Sequence, residues 1–207
     1  IKVNDIYDGT ETSINNVFTN INLGTSAIKN LSRILSIKSF DNNVVATSEL
    51  TTRVTEGTTT IYVTVEVSSS ILLLPEVPMT GRLDNPRVGY FTNPLTNFSD
   101  GQQRVNKKQF ITRWRLEPRP EDRAAYLRGE LVEPRKPIVF YIENSTPYRW
   151  RKYIKQGIED WQVAFERAGF KNAIIAKDIT EDMEVDMDDV NYSVLTYAAS
   201  TKANAMG

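Results

Sequence analysis

The chain has 207 residues, and its 25 basic and 26 acidic side chains leave a net charge of −1. It contains no histidine and no cysteine, which excludes Ser-His-Asp and Cys-His relays, disulfides and zinc sites of the usual nitrogen and sulfur type. The composition does not exclude catalysis by carboxylate, lysine or hydroxyl side chains, nor metal sites with oxygen ligands. The apolar fraction of 40% is ordinary for a soluble globular protein.

The first half of the chain has the pattern of β-strands. Residues 60–67 alternate polar and apolar side chains without a fault, which predicts a strand with one apolar face. Short strands with turn signals and no helical period between them indicate an antiparallel meander. The other strands predicted in this half and just beyond it cover residues 33–40, 44–53, 88–91 and 109–116.

The second half changes to an α/β pattern. A short helix is predicted at residues 121–127, and the apolar run at residues 138–142 is typical of a strand covered on both faces. A strand at 173–176 follows the next helix directly, which predicts a right-handed parallel β-α-β unit. An acidic loop then leads to a last strand at 192–199. The fold class expected is therefore α+β.

The helix inside that unit has the clearest signals, and it is predicted over residues 147–168. Thr146 is expected to cap it, and Pro147 suits the first helical position, where a missing N–H costs nothing. Gly169 is expected to end it in a left-handed conformation, with Phe170 making the hydrophobic contact that often follows. Its predicted apolar stripe consists of Trp150, Ile154, Ile158, Trp161, Phe165 and Ala168.

Charge is unevenly distributed along the chain. Residues 101–155 hold 14 basic against 6 acidic side chains, whereas residues 156–190 hold 3 against 10. Adjacent blocks of opposite sign are expected to neutralise each other, and the overall pI of about 5.7 argues against nucleic acid as a partner. The longest apolar run, residues 71–74, is too short to cross a membrane.

The acidic loop holds the only pattern that suggests a metal. Its alternating carboxylates are hard oxygen ligands, and they are weak candidates for calcium. The EF-hand pattern fails, because Met187 and Ser193 stand where that loop needs Gly and Glu. A solvated acidic turn is the favoured interpretation. The four candidate ligands are Asp182, Glu184, Asp186 and Asp188.

Four long segments carry a resemblance to a known family. They are residues 84–92 (DNPRVGYFT), 113–118 (RWRLEP), 126–142 (YLRGELVEPRKPIVFYI) and 153–174. In this order they resemble a bacterial family of large secreted zinc-dependent metalloproteases, in which a β-rich domain of unknown function precedes a metzincin-like catalytic domain. The resemblance is dense from about residue 71 onward and weaker before it.

The resemblance implies that the chain ends with an incomplete metzincin-like β-α-β-β catalytic half. It implies zinc in the parent enzyme, held by an H-E-x-x-H helix that would lie downstream, and no cofactor in this chain. A chain without histidine cannot carry those ligands, so no catalytic residue is assigned. Residues near the substrate-binding rim are expected at Asn204, Ala205, Met206 and Gly207, although a frayed terminus explains them equally well.

The expected organisation is a β-rich accessory domain (1–80), connecting strands and loops (81–136) and a truncated catalytic half (137–207). The first residues carry neither an initiator Met nor a leader, so the chain is expected to be an excised or processed piece. The family implies a secreted, periplasmic or envelope location and a protein or peptide substrate for the parent enzyme. An exposed sheet edge is expected to allow self-association.

Two other functions remain open from the sequence. One is a stand-alone cell-surface module that binds peptide or glycan through its β-sheet, without enzymatic activity. The other is a β-rich part that acts as a built-in inhibitor or chaperone of the protease.

Overall fold

The computed structural model describes residues 7–9, 17–20, 23, 26–98, 101 and 103–199. It is a strand-rich α+β structure with antiparallel sheets in its N-terminal part, as the sequence predicts. The chain divides into two compact units. The first unit comprises residues 1–74 and 185–191, and the second comprises residues 75–184 and 192–207.

The first unit contains the predicted antiparallel meander. Its strands are β1 (Arg33–Ser39), β2 (Asn43–Glu56) and β3 (Thr59–Leu72), in the order β1-β2-β3. The helical turn α1 (Val17–Asn20) precedes them. β2 and β3 are both longer than predicted, because Thr and Ser continue the pairing beyond the clearly alternating stretch.

The middle of this sheet has an apolar cluster on one face and a pair of threonines on the other. Leu50 of β2 lies opposite Val65 of β3, is fully buried, and packs with Phe18 and Ala27 in the core of the unit. On the opposite face Thr51 and Thr64 share a hydrogen bond of 2.9 Å. The alternation seen in residues 60–67 therefore has its expected cause, burial of one face.

The second unit begins with a hairpin rather than with the predicted strand at residues 88–91. Residues 89–91 form no strand, and the residues before them form a turn, in which Val88 N–H donates to the Asn85 carbonyl and the Asn85 side chain accepts from Arg87 N–H. Asn favours such turns because its side chain mimics a backbone acceptor. The hairpin strands are β4 (Thr92–Asn97) and β5 (Asn106–Ile111), and the short helix α2 (Arg123–Leu127) follows.

The second unit also contains a three-stranded parallel sheet. Its strands are β6 (Ile138–Ile142), β7 (Ile174–Asp178) and β8 (Ser193–Leu195), in the order β7-β6-β8. β6 pairs in parallel with both neighbours, so the predicted parallel pairing of β6 with β7 is confirmed. β8 is much shorter than the predicted strand at 192–199.

The connection between β6 and β7 is two helices instead of one. α3 (Tyr148–Glu159) ends before Asp160, and α4 (Gln162–Arg167) starts after Trp161. Trp161 N–H donates to the carbonyl three residues back, which is the bond of a 3₁₀ turn. Beyond this turn the Gln162 side chain accepts the N–H of Ala173 at 3.0 Å, at the entry to β7.

The cap predicted at the start of α3 is wrong, whereas the predicted end of α4 is confirmed. Pro147 is the N-cap, and the hydroxyl of the buried Thr146 has no hydrogen-bond partner among the described residues. At the other end Gly169 has φ +93° and its N–H donates to Glu166, while Phe170 N–H donates to the Phe165 carbonyl. These two bonds define a Schellman motif.

Candidate functional site

The acidic segment predicted as a weak calcium site is divided between the two units. Asp182 and Glu184 belong to the second unit, whereas Asp186 and Asp188 belong to the first. Within the described ranges, no group of three or more His, Cys, Asp or Glu side chains is arranged to hold a metal ion. The Asp182 carboxylate accepts a hydrogen bond from the Thr180 hydroxyl, which lowers its pKa.

The position a cation would take between Asp186 and Asp188 is filled by the ammonium group of Lys38 on β1. Lys38 Nζ lies 2.9 Å from Asp186 Oδ2 and 2.8 Å from Asp188 Oδ2. Hydrogen bonds to Asp188 and then Asp186 raise the pKa of Lys38. The Asp188 N–H and then Lys38 lower the pKa of Asp186. The three side chains therefore form an ion-paired cluster, in which Lys38 and Asp186 each favour the charged form of the other.

A buried asparagine on β2 holds the same segment by its backbone. Asn43 Nδ2 donates to the Asp188 carbonyl at 2.7 Å, and Asn43 Oδ1 accepts from Val190 N–H at 3.1 Å. Asn43 is 4% exposed, and its amide also donates to Ser70 of β3. We call residues 185–191 the strap. Asn43 and Lys38 together attach the strap to the first sheet.

In the second unit, a polar pair beside a cavity lies at the carboxyl end of strand β7. Asp178 is the last residue of β7, and its Oδ2 lies 2.5 Å from the Nζ of Lys155 on α3. Its Oδ1 is buried and has no hydrogen-bond partner among the described residues. The carboxyl ends of parallel strands are the usual place for ligand sites in α/β folds.

The cavity beside this pair has a volume of about 740 Å³ and is lined by α3 and Asp178. Its basic groups are partly engaged: Arg151 donates to the backbone carbonyls of Thr146 and Asn144, and Lys155 is paired with Asp178. Arg149 stacks over the Trp150 ring at 5.0 Å. The described residues that line the cavity include charged groups of both signs, so it offers ion pairs and hydrogen bonds to a polar ligand.

A second cavity, of about 560 Å³, lies beside α2. Pro118, Pro120 and Leu127 form its apolar wall, and the side chains of Arg123 and Arg135 line it. None of the four candidate ligands of the acidic loop is among the described residues that line these two cavities. The predicted substrate-proximal residues Asn204, Ala205, Met206 and Gly207 lie outside the described residues.

Sequence reasoning missed four of the residues that the structure brings together: Lys38, Asn43, Lys155 and Asp178. Asp178 carried a usable signal, because a carboxylate at the end of an apolar strand marks the edge where parallel sheets bind ligands. Lys155 lies on the polar side of the helical pattern and is therefore a natural partner. Lys38 and Asn43 carried no signal, because their partners are about 145 to 150 residues away in sequence.

None of the described helices has the length and apolar character that crossing a bilayer requires.

Comparison with known proteins identifies one family. Residues 1–119 match the family model described as a domain of unknown function, DUF5117. The match covers the three-stranded sheet of the first unit and extends through the β4–β5 hairpin of the second. No curated protein and no solved structure matches the chain. Because the match spans 119 of the 207 residues, the chain belongs to the DUF5117 family.

Proposed function

We propose that this chain is the non-catalytic N-terminal part of a zinc-dependent metalloendopeptidase whose zinc motif follows residue 207. Four segments that resemble such proteases in sequence occur here in the same order. Membership of a family defined by a domain of unknown function agrees with a β-rich domain that precedes a catalytic one. The parallel strands β6, β7 and β8 would then open the catalytic fold, with α3 and α4 as its backing helices.

The observation that carries the proposal is that two of the resembling segments build one core. Val132 belongs to the segment 126–142, and Phe170 and Ala173 belong to 153–174; the three side chains form the buried cluster of the second unit. The ring of Tyr126 stacks on Phe170 with centroids 5.0 Å apart. Long sequence motifs that pack on each other specify a fold, whereas isolated surface motifs do not.

The residues of this chain do not fit the zinc itself. Catalytic zinc in peptidases is held by histidine together with carboxylate, and the chain has no histidine. Asp186 and Asp188 are both ion-paired with Lys38, and Asp178 is paired with Lys155. The role proposed for this chain is therefore scaffolding, and the attack of water on the peptide bond belongs to residues outside it.

The experiment compares the 207-residue chain with the complete gene product. We expect the gene to encode H-E-x-x-H beyond codon 207, and the complete protein to hold about one zinc ion by elemental analysis and to hydrolyse a denatured protein substrate. The 207-residue chain should hold no stoichiometric zinc and cleave nothing.

Two results would overturn the proposal. One is a complete gene product without H-E-x-x-H, which would favour the stand-alone peptide- or glycan-binding module instead. The other is chelator-sensitive peptidase activity in the 207-residue chain. If the complete enzyme gains activity when residues 1–80 are removed, the first domain acts as an inhibitor within the proposed enzyme.

A further inference from the structure

The cavity beside α2 is lined by two arginines, Arg123 and Arg135, and we call it the arginine cavity. Neither guanidinium makes a hydrogen bond or an ion pair with any residue that the structure describes. Nearby arginines that do not line the cavity are all ion-paired: Arg115 with Glu117, Arg119 with Glu133 and Arg128 with Glu130. The two cavity arginines therefore differ from their neighbours in having donors to spare for a ligand.

The walls of the arginine cavity are held in place by the fold of the second unit. Pro118 forms an antiparallel bridge with the buried Pro134, and Arg135 N–H donates to the Glu117 carbonyl at 2.8 Å. The Tyr126 ring is fixed by its stacking on the core and by a hydrogen bond from its hydroxyl to a backbone carbonyl. Proline also restricts the backbone, so the cavity has its shape before a ligand arrives.

Part of the cavity wall is apolar. Pro118, Pro120 and Leu127 line it, and Leu127 is 76% exposed. A single exposed leucine on a convex surface has no significance, but in a concave wall it can be covered by a ligand. Covering it removes apolar surface from water, which favours a ligand that has an apolar part of its own.

The charge of the cavity favours a ligand with one negative charge. The charged residues that line it are the two arginines and Glu117, which leaves one net positive charge. A carboxylate matches both this charge and the planar fork of a guanidinium. A phosphate dianion would add a second negative charge beside Glu117, so it fits less well.

We propose that the arginine cavity binds a carboxylate attached to an apolar group, with Arg123 and Arg135 binding the carboxylate. Two kinds of ligand have this chemistry: a small organic acid, and the free C-terminus of a peptide that ends in an apolar residue. The site requires neither zinc nor peptidase activity, so it does not rest on the proposed function.

The test is an NMR titration of the isotope-labelled 207-residue chain with phenylpropionate. Saturable shift changes are expected at the amides of Tyr126 and Leu127. Phenylpropionamide has the same apolar group without the charge, and it should bind roughly 10- to 100-fold more weakly. Acetate lacks the apolar group and should bind at least roughly tenfold more weakly. Inorganic phosphate should also bind more weakly than phenylpropionate.

A peptide ligand distinguishes the two sources of the carboxylate. N-acetyl-Ala-Ala-Phe carries the same phenyl group and a carboxylate at its C-terminus. Tighter binding of this peptide than of phenylpropionate would support a peptide C-terminus as the ligand, and weaker binding would support a small organic acid. The C-terminal amide of the peptide should bind more weakly than the free acid in either case.

Three variants test the arginines. Arg123→Met and Arg135→Met keep most of the aliphatic stem, and each should weaken phenylpropionate binding roughly five- to thirtyfold. Arg128→Met is the matched control, because Arg128 is also exposed and near α2 but is paired with Glu130 and does not line the cavity. It should change the affinity by no more than about twofold. The thermal unfolding midpoint of each variant shows whether the fold is retained.

Four outcomes would overturn the inference. They are no saturable binding of phenylpropionate, equal binding of the acid and its amide, tighter binding of phosphate than of phenylpropionate, and an equal loss of affinity in the control and the two cavity variants. A gene product without a zinc motif would remove the proposed function and leave this site intact. Absence of binding would remove the site and leave the proposed function intact.

Discussion

Gly169 lies against the ring of Tyr126, so closely that a Cβ at Gly169 would be 2.7 Å from Tyr126 Cε2. The glycine also has φ +93°, a conformation that side chains rarely adopt. Two requirements therefore meet at this one position: the backbone needs a left-handed residue to end α4, and the aromatic ring needs the space that a side chain would fill.

Gly169→Ala is expected to destabilise the second unit by about 2–5 kcal/mol, the sum of left-handed strain and overpacking against Tyr126. Urea unfolding measures this loss. Gly129→Ala is the matched control, because Gly129 has φ +86° but nothing within 4 Å of the position of its Cβ. It should cost only the strain, about 1–2 kcal/mol. Equal losses in the two variants would mean that the contact with Tyr126 has no energetic weight.

Thr146→Val is expected to stabilise the chain by about 1 kcal/mol, because it replaces a buried hydroxyl that has no described partner with a methyl group of the same shape. The midpoint and slope of urea unfolding measure the change. If the hydroxyl instead caps α3, as the sequence suggests, the same substitution should destabilise by about 1 kcal/mol. The sign of the effect decides between the two.

The Lys38 cluster is expected to stabilise the chain over a defined range of pH. The lowered pKa of Asp186 adds stability above the ordinary aspartate value of 3.8, and that stability is lost as the pH falls through the lowered pKa. The raised pKa of Lys38 adds stability below the ordinary lysine value of 10.5, and it is lost as the pH rises through the raised pKa.

The difference in thermal unfolding midpoint between wild type and Lys38→Met measures this contribution. It should be largest between those two values and disappear at both extremes. A difference that is independent of pH would show that the cluster contributes through packing alone. High salt should also reduce the difference, because the pairs are partly exposed.

The outer edge of β3 is expected to support self-association. Among the described residues this 14-residue strand pairs only with β2, and Glu66 is its single charged residue. Such edges pair readily with another chain, and edge lysines oppose this. Tyr62→Lys should weaken association roughly tenfold, since a symmetric pair contains the change twice. Sedimentation over a range of concentrations measures the effect.

Tyr153→Lys is the control for this experiment. Tyr153 has the same exposed fraction as Tyr62, 63%, but lies on α3 and not at a sheet edge. It should leave the association unchanged. A wild-type chain that stays monomeric at high concentration would contradict the prediction.

Local patterns predicted those elements whose cause is local. The alternation at residues 60–67 reflects partial burial of one sheet face, and the apolar run at residues 138–142 forms β6, in which every side chain is buried or half-buried. Gly169 was predictable because a left-handed helix end selects glycine. The break after α3 was not, because the apolar period continues through Trp161 even though this residue is 64% exposed.

Most contacts of the candidate site, which joins Lys38 and Asn43 to the strap, could not be predicted from the sequence. The alternating carboxylates that lead into the strap can be recognised in the sequence. Their partner Lys38 lies 150 residues from Asp188, and no spacing rule connects the two. Asn43 appeared within a turn signal, and its role as a buried bridge follows only from tertiary contacts. The periodicity of a sequence predicts which face of a helix or strand is buried and where the element ends. The contacts of Lys38 and Asn43 depend instead on a distant segment that packs against the first sheet.

The position of the strap also has a consequence for synthesis on the ribosome. Asn43 is made 145 residues before Asp188, to which its amide donates. At cellular rates of translation that interval lasts roughly 7 to 29 s, during which the nascent first sheet has no strap. Until then the Asn43 side chain must remain hydrated or bond to other groups, so the first unit is completed only after residues 75–184 of the second have been made.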